Sequence, residues 1–305
     1  MVSNEINSDP PRENVSNLSP SAPSIGHNQF VVSVDSSRHE LSPKEQRVLA
    51  RVFSGKQFEI DRGPDQVKRD DVIYVPRLML FAVAELEQHY GSVKFERIYS
   101  DTGLGNRALK LNIDGEDLIL KMSTKDGLAP GTIENDYKFL LNGFDQFPKL
   151  RGTVKDHTGE VLGILRTYQE GATLSGFVSA VLEGLNASIE RGTLRDNVNA
   201  ANVADGLIES FRVALEEMYY KYATTIKMVP WDMKGDNVLV VFREEGGTVK
   251  LETRYFDTAK FQDLEAIKEL YQLSDDRVLA SAMADEMIEA VKAVSGYSEL
   301  LGKPG

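Results

Sequence analysis

The chain has 305 residues, of which 41% are hydrophobic and 27% charged, as in an ordinary globular protein. Its formal net charge of −12 disfavours a general nucleic-acid or anionic-membrane surface, so we expect neither nucleic acid nor membrane as a partner. The absence of cysteine excludes disulfides and thiolate metal sites, and the four histidines are not spaced as metal ligands.

The first 40 residues are rich in Ser, Asn and Pro, a composition that predicts a disordered tail. Apolar runs along the chain are shorter than the roughly 20 residues that a membrane helix needs. The N-terminus lacks the charged-then-apolar layout of a secretory signal. We therefore expect a cytoplasmic protein, and the tail also suits a bacterial effector that is exported into a host cell, or a phage protein.

Two helices are predicted after the tail. Ser42, Pro43 and Glu45 form the signature of a capping box at the start of the first helix, and Gly55 can end it. The apolar stretch 77–91 predicts a second helix that ends at a glycine.

Residues 107–123 predict a β-hairpin around a two-residue Asp114-Gly115 turn. Such a turn pairs Lys121 with Ala108, and cross-strand partners point to the same face of a sheet. The other face is apolar and carries Leu109, Leu111, Leu118, Leu120 and Met122. The ammonium group of Lys121 is therefore directed away from the apolar face.

The remaining elements alternate between helix and strand patterns. Helices are predicted at 131–142, 174–190, 203–223, 261–272 and 276–296, and strands at 160–169, 237–242 and 248–256. The order predicts an α+β protein with an antiparallel sheet first and a mainly helical half after it. We expect a tail (1–40), an N-terminal unit (41–170) and a C-terminal unit (171–305).

Polar residues cluster at the start of the predicted hairpin 237–256. Asp232, Lys234 and Asn237 come just before its first strand, and Asp257 follows its second strand. Because a hairpin brings its outer ends together, Asn237 and Asp257 can converge on one point. A carboxylate and an amide oxygen suit Mg²⁺, with phosphates completing its coordination. Asp232 can then act as a base for a hydroxyl, and Lys234 can neutralise charge on a transferring phosphoryl group.

This arrangement resembles the protein-kinase-like superfamily over about residues 95–260, with its two-lobed α+β fold. The resemblance implies an ATP- and Mg²⁺-dependent phosphotransferase with Asp232 and Lys234 as catalytic residues and Asn237 and Asp257 as metal ligands. Lys121 matches the lysine that holds the ATP phosphates, and Glu134 its partner on the following helix. Gly103 and Gly105 match the phosphate-covering loop, and the main chain of Thr167, Tyr168 and Gln169 matches the hinge that meets adenine.

The sequence also departs from the family pattern. Pro230-Trp231 replaces His-Arg before Asp232, Thr258-Ala259 replaces Phe-Gly after Asp257, and no Ala-Pro-Glu follows. A phosphorylation-gated activation segment is therefore not expected. The acceptor we favour is a Ser or Thr hydroxyl of a protein. The alternatives are a small-molecule hydroxyl, as in aminoglycoside phosphotransferases, transfer of another group such as AMP, and a pseudokinase that only binds.

Overall fold

The computed structural model describes residues 30–62, 66–100, 106–123, 132–193 and 199–298. Its helices within these ranges are α1 (Pro43–Val52), α2 (Arg77–Tyr90), α3 (Thr132–Leu141), α4 (Leu174–Glu190), α5 (Ala200–Thr225), α6 (Leu264–Tyr271) and α7 (Asp276–Val294). Its strands there are β1 (Phe30–Ser33), β2 (Gln57–Ile60), β3 (Val72–Val75), β4 (Val93–Ser100), β5 (Asn106–Ile113), β6 (Glu116–Ser123), β7 (Leu150–Lys155), β8 (Val161–Thr167), β9 (Ala172–Thr173), β10 (Met228–Pro230), β11 (Val238–Glu245), β12 (Thr248–Tyr255) and β13 (Phe261–Asp263).

Six strands form one sheet in the order β1-β7-β8-β6-β5-β4. Neighbouring strands run antiparallel, except that β1 runs parallel to β7. The predicted α+β class is confirmed, but the sheet is mixed and not wholly antiparallel.

The predicted boundary of the disordered tail at residue 40 is wrong. Phe30–Ser33 forms the edge strand β1, and the side chains of Val32 and Val34 are buried in the core. The run Phe30-Val31-Val32-Ser33-Val34 has strong β propensity, but four paired residues are too few for a period-2 pattern to stand out. Residues 1–29 lie outside the described part of the chain.

The β5–β6 hairpin has the predicted register. Ile113 pairs with Glu116 and Ala108 with Lys121 across the Asp114-Gly115 turn. Both turn residues have positive φ (51° and 89°), as a type I′ hairpin turn requires. The predicted apolar face is fully buried or nearly so at every position.

Helices α1 and α2 cover this apolar face. The capping box of α1 is confirmed, because Ser42 and Glu45 each accept a hydrogen bond from the other's main-chain N–H. Helix α2 is apolar on nearly all sides and ends at Gly91, whose φ of 77° is left-handed. The helices and the sheet enclose a first hydrophobic core.

A second hydrophobic core is built from α3 to α7 and the β11–β12 hairpin. Its largest fully buried side chains are Phe211, Tyr219, Tyr222 and Tyr255. The hairpin register pairs Val238 with Tyr255, so its outer ends meet as predicted. The predicted helices and strands of this half are present within a few residues of their expected bounds.

Several strands were not predicted, among them the longer β4 and β7 of the main sheet and a number of short strands. Strand β10 pairs with β13, β9 pairs with β11, and β2 runs parallel to β3. Strands of two to four residues are too short for periodicity to reveal. Within the described ranges, no helix combines the length and the apolar character that crossing a bilayer requires.

Candidate functional site

Lys121 lies on β6, opposite Ala108, on the face of the sheet that points away from α1 and α2. Its Nζ is 2.7 Å from Asp136 Oδ2 and 3.0 Å from Asp257 Oδ1. Asp136 belongs to α3, and Asp257 follows β12. One ammonium group therefore joins the sheet, a helix and a loop 136 residues further along the chain.

The predicted partner of Lys121, Glu134, is wrong. Glu134 is 58% exposed and pairs with Lys138 on the same helix at 2.8 Å. The partner is Asp136, which has 0% exposure. Asp136 lies three residues after Ile133 and four before Leu140, so it belongs to the buried stripe of α3. An acidic residue within an apolar helical stripe was a signal that the sequence did contain.

The two carboxylates determine the charge state of Lys121. Burial alone lowers the pKa of this ammonium group, but the charges of Asp136 and Asp257 outweigh it and raise the pKa above its ordinary value. Burial alone raises the pKa of Asp257, and the charge of Lys121 brings it below its ordinary value. Lys121 and Asp257 are therefore both ionised at neutral pH.

The loop between β10 and β11 holds Asp232 and Asn237 side by side. The Tyr255 hydroxyl donates to the main-chain carbonyl of Asp232 (2.7 Å). Asn237 Nδ2 donates to Asp232 Oδ2 (3.3 Å) and to the Tyr255 hydroxyl (3.1 Å). Because a carboxylate can only accept, the amide nitrogen of Asn237 must face Asp232. Its amide oxygen is left for another ligand.

A glycine lets this loop approach the helices beneath it. Gly235 opens the 3-10 turn Gly235–Asn237. A Cβ at this position would overlap the side chains of Ser175 on α4 and Val291 on α7. The loop is therefore seated directly on two helices of the second core.

The β11–β12 hairpin brings Asn237 and Asp257 to the same end. The main-chain N–H of Phe256 donates to the carbonyl of Asn237 at 3.0 Å. Burial raises the pKa of Tyr255 well above its ordinary value, and the negative charges of Asp257 and Asp232 add to the shift. The hairpin therefore brings Asp257 to the end at which Tyr255 holds Asp232 and Asn237.

Two further side chains border Asp232 on the solvent side. Lys234 is 61% exposed, and its Nζ is 3.5 Å from Asp232 Oδ2. Trp231 is 49% exposed, and the Nζ of Lys260 lies 5.7 Å from its ring centroid. Asp232 itself is 18% exposed, so a small group can reach its carboxylate from solvent.

The predicted hinge follows β8. The main-chain N–H of Thr167 donates to the carbonyl of Lys149, and that of Tyr168 donates to the carbonyl of Asp117. These two N–H groups are therefore already bonded within the protein. The predicted hinge contact with adenine would be left with main-chain carbonyl groups and with Gln169. The side-chain oxygen of Gln169 is buried and has no hydrogen-bond partner.

Besides Asp136, three residues of the site were not predicted from the sequence: Tyr255, Thr258 and Arg166. The hydroxyl of Thr258 donates to Asp136 Oδ1. Arg166 Nη1 donates to the carbonyl of Phe256 at 2.7 Å. Arg166 could have been singled out as the charged residue of an otherwise apolar strand, whereas nothing in the local sequence distinguishes Thr258. The predicted Gly103 and Gly105 lie outside the described residues.

The donor set for a cation is small. Among the described residues, no three His, Cys, Asp or Glu side chains are grouped as a metal site. Asp257 meets Lys121 through Oδ1, which leaves Oδ2 of the same carboxylate, and Asn237 keeps its amide oxygen. A carboxylate and an amide suit Mg²⁺ that is bound mainly by phosphates and water.

No protein-family profile matches the chain, and no curated protein matches its sequence.

Proposed function

We propose that the chain is an ATP- and Mg²⁺-dependent phosphotransferase with a two-lobed, protein-kinase-like fold, whose lobes meet near residue 170. The observation that carries this proposal is the contact of Lys121 with Asp257, beside the Asp232–Asn237 pair at the end of the same hairpin. Buried groups of opposite charge that converge from distant segments are typical of catalytic sites.

The residues of the site have distinct roles in this proposal. Lys121 holds the α- and β-phosphates of ATP, and its contact with Asp136 keeps the ammonium in place. Asp257 and Asn237 hold Mg²⁺, which neutralises charge on the phosphates when it is bound. The main chain of Thr167, Tyr168 and Gln169 would meet the adenine, and the predicted phosphate-covering residues Gly103 and Gly105 lie outside the described part of the chain.

Asp232 accepts the proton of the attacking hydroxyl. The hydrogen bond from Asn237 fixes one carboxylate oxygen, and the partial exposure of Asp232 leaves room for the acceptor. Lys234 lies beside this carboxylate and stabilises the charge on the transferring phosphoryl group. Positioning and charge stabilisation supply most of the catalysis in phosphoryl transfer.

The acceptor that we favour is a Ser or Thr hydroxyl of a protein. One observation favours a small-molecule hydroxyl as the second candidate. After Asp257 the chain forms the turn Thr258–Lys260 and β13, and α6 begins at Leu264. This connection is too short to form an extended platform for a peptide.

Transfer is tested with γ-labelled ATP, Mg²⁺ and either a protein lysate or a panel of small hydroxyl compounds. Asp232→Asn and Asp257→Asn are compared with wild type, and nucleotide binding is measured separately by calorimetry. Glu134→Gln serves as the matched control, since this carboxylate lies on α3 but faces solvent.

Label on protein or on a small molecule that is lost in both site variants but kept in Glu134→Gln supports the proposal and identifies the acceptor class. Nucleotide binding without transfer from γ-labelled ATP directs the assay to α-labelled ATP, and label transferred from it shows that AMP is moved. Binding with no transfer of either label indicates a pseudokinase. No nucleotide binding at all contradicts the proposal.

A further inference from the structure

Two side chains outside the predicted set anchor the main chain on either side of Asp257. Arg166 on β8 donates from Nη1 to the carbonyl of Phe256, the residue before Asp257. Thr258, the residue after it, donates from its hydroxyl to Asp136 on α3. The short segment that carries Asp257 is therefore attached both to the sheet and to a helix.

Arg166 is buried at a cost. Its exposure is 7%, it makes no ion pair within the described part of the chain, and its Nε has no hydrogen-bond partner. A buried guanidinium that is only partly satisfied destabilises a protein unless nearby charges compensate it. Here Lys121 and Arg166 are balanced by Asp136 and Asp257, and we call these four side chains the charge cluster. Arg166 lies close enough to Lys121 and Asp257 to influence the pKa of both.

Thr258 is equally constrained. Its side chain is buried, and its hydroxyl meets the same carboxylate that holds Lys121. Both oxygens of Asp136 are thus engaged, one by Lys121 and the other by Thr258. Displacing the Asp257 segment would break this hydrogen bond and leave a buried carboxylate oxygen without a donor, which costs about 1–3 kcal/mol or more for a charged group.

We propose that Arg166 and Thr258 are positioning residues that clamp Asp257 in the orientation facing Lys121, so that its carboxylate is held ready for Mg²⁺ without a separate gating segment. The catalytic consequence rests on the proposed phosphotransferase function. The clamp itself is a property of the free protein.

The first experiment measures hydrogen exchange of the peptide spanning residues 256–260 in the free protein. In this peptide the amide of Phe256 is bonded to Asn237 and that of Lys260 to Asp257. We expect Thr258→Val, which removes the hydroxyl and keeps the shape, to speed exchange about tenfold. Thr258→Ser restores the hydroxyl and should exchange like wild type. Arg166→Lys, which keeps the charge but loses the guanidinium geometry, should also speed exchange.

The second experiment measures the Mg²⁺ concentration that gives half-maximal phosphoryl transfer. We expect Thr258→Val to raise it about tenfold with kcat at saturating Mg²⁺ largely kept, and Thr258→Ser to stay within about threefold of wild type. Thr253→Val is the matched control, because this buried threonine donates to the carbonyl of Ala214, outside the charge cluster. It should lower stability without changing the Mg²⁺ requirement.

Exchange and Mg²⁺ requirement that are the same in Thr258→Val as in Thr258→Ser overturn the clamp. A wild-type protein that neither binds nucleotide nor transfers phosphate overturns the proposed function instead. The exchange comparison then decides the clamp by itself, so the two failures are distinguished.

Discussion

Four charged side chains meet where β6, β8, α3 and the Asp257 segment come together. The two positive charges are balanced by the two negative ones. Lys121 contacts two carboxylates, and Arg166 supplies the second positive charge that makes the charge cluster neutral. Removing any one of them leaves an unbalanced charge in a largely buried site. Breaking a buried pair in this way typically costs about 3–5 kcal/mol, far more than an exposed pair contributes.

Asp136→Asn is the residue-scale test of this balance. The amide can keep a hydrogen bond to both Lys121 and Thr258, so the change removes mainly the negative charge. We expect the free energy of unfolding at pH 7 to fall by about 3 kcal/mol, measured by urea denaturation. Glu134→Gln, on the exposed side of the same helix, should change it by less than about 0.5 kcal/mol. Equal effects of the two variants would show that the charge cluster is not a stabilising unit.

The sequence predicted most of the individual side chains of this site but not all of their contacts. Asp232, Asn237, Lys121 and Asp257 could be assigned because each stands next to a strand that fixes its direction. Glu134 was predicted from its match to the family pattern, whereas the apolar stripe of α3 would have selected Asp136. Contacts such as that of Arg166 with Phe256 join residues 90 positions apart, and no local pattern encodes them.

At the scale of the elements, α1 depends on the ionised form of Glu45. The pKa of Glu45 is lowered to about 2, mainly by the hydrogen bond from Arg38 and to a smaller extent by the hydrogen bonds from Ser42. Because this pKa is depressed on folding, the stabilisation is present above about pH 4.5 and is lost as pH falls towards 2. Arg38 is 38% exposed, so we take the contribution as about 2 kcal/mol after solvent screening.

Glu45→Gln should therefore destabilise the protein by about 2 kcal/mol at pH 7, and by progressively less as the pH falls below 4.5. Ser42→Ala removes a hydrogen bond of the same capping box without removing a charge, and should cost about 1 kcal/mol with a weaker dependence on pH than Glu45→Gln. Urea denaturation at pH 7 and pH 3.5 compares the two variants. A loss for Glu45→Gln that stays constant between these pH values would contradict the assignment.

Glycines at two exposed positions test local backbone conformation. Gly115 occupies the β5–β6 turn with φ of 89°, and Gly184 lies within α4; an added Cβ meets no neighbour at either position. We expect Gly115→Ala to lower the unfolding free energy by about 1–2 kcal/mol because its φ is left-handed. Gly184→Ala should raise it by about 0.5–1 kcal/mol because alanine favours the helix. Thermal unfolding distinguishes the two signs, and a shift in the same direction for both would refute the argument.

Elements with a complete local signal were predicted well, and those without one were missed. A few neighbouring residues are enough to predict the capping box of α1, the glycine that ends α2 and the Asp114-Gly115 turn. Strand β1 is formed by pairing with β7, about 120 residues later in the chain, and the two-residue β9 by pairing with β11. Neither pairing is visible in the local sequence. The α+β class follows from the order of elements, whereas the order of strands in the sheet depends on these distant pairings.

At the scale of the whole molecule, the charge cluster lies between the two hydrophobic cores. Lys121 stands on the sheet that forms part of the first core, and Asp257 follows the hairpin of the second. The ion pair therefore forms only when both cores are folded. Its contribution should appear as an energetic coupling between residues that are distant in sequence.

A double-mutant cycle with Lys121→Met and Asp257→Asn measures this coupling. Each single change unbalances the charge cluster and should cost about 3–5 kcal/mol. The double change leaves the charges of Arg166 and Asp136 in balance, so its loss should be about 1–3 kcal/mol smaller than the two single losses added together. Urea denaturation at pH 7 gives the three values, and the fluorescence of Trp231, the single tryptophan, reports unfolding at the site itself.

The coupling between Lys121 and Asp257 should also depend on pH. Because the pKa of Asp257 is lowered on folding, its stabilisation is present above about pH 4 and is lost as the pH falls through the folded-state value, so the coupling should disappear in acid. Strictly additive losses at pH 7 would show that Lys121 and Asp257 act independently, and that the two cores are not joined through this pair.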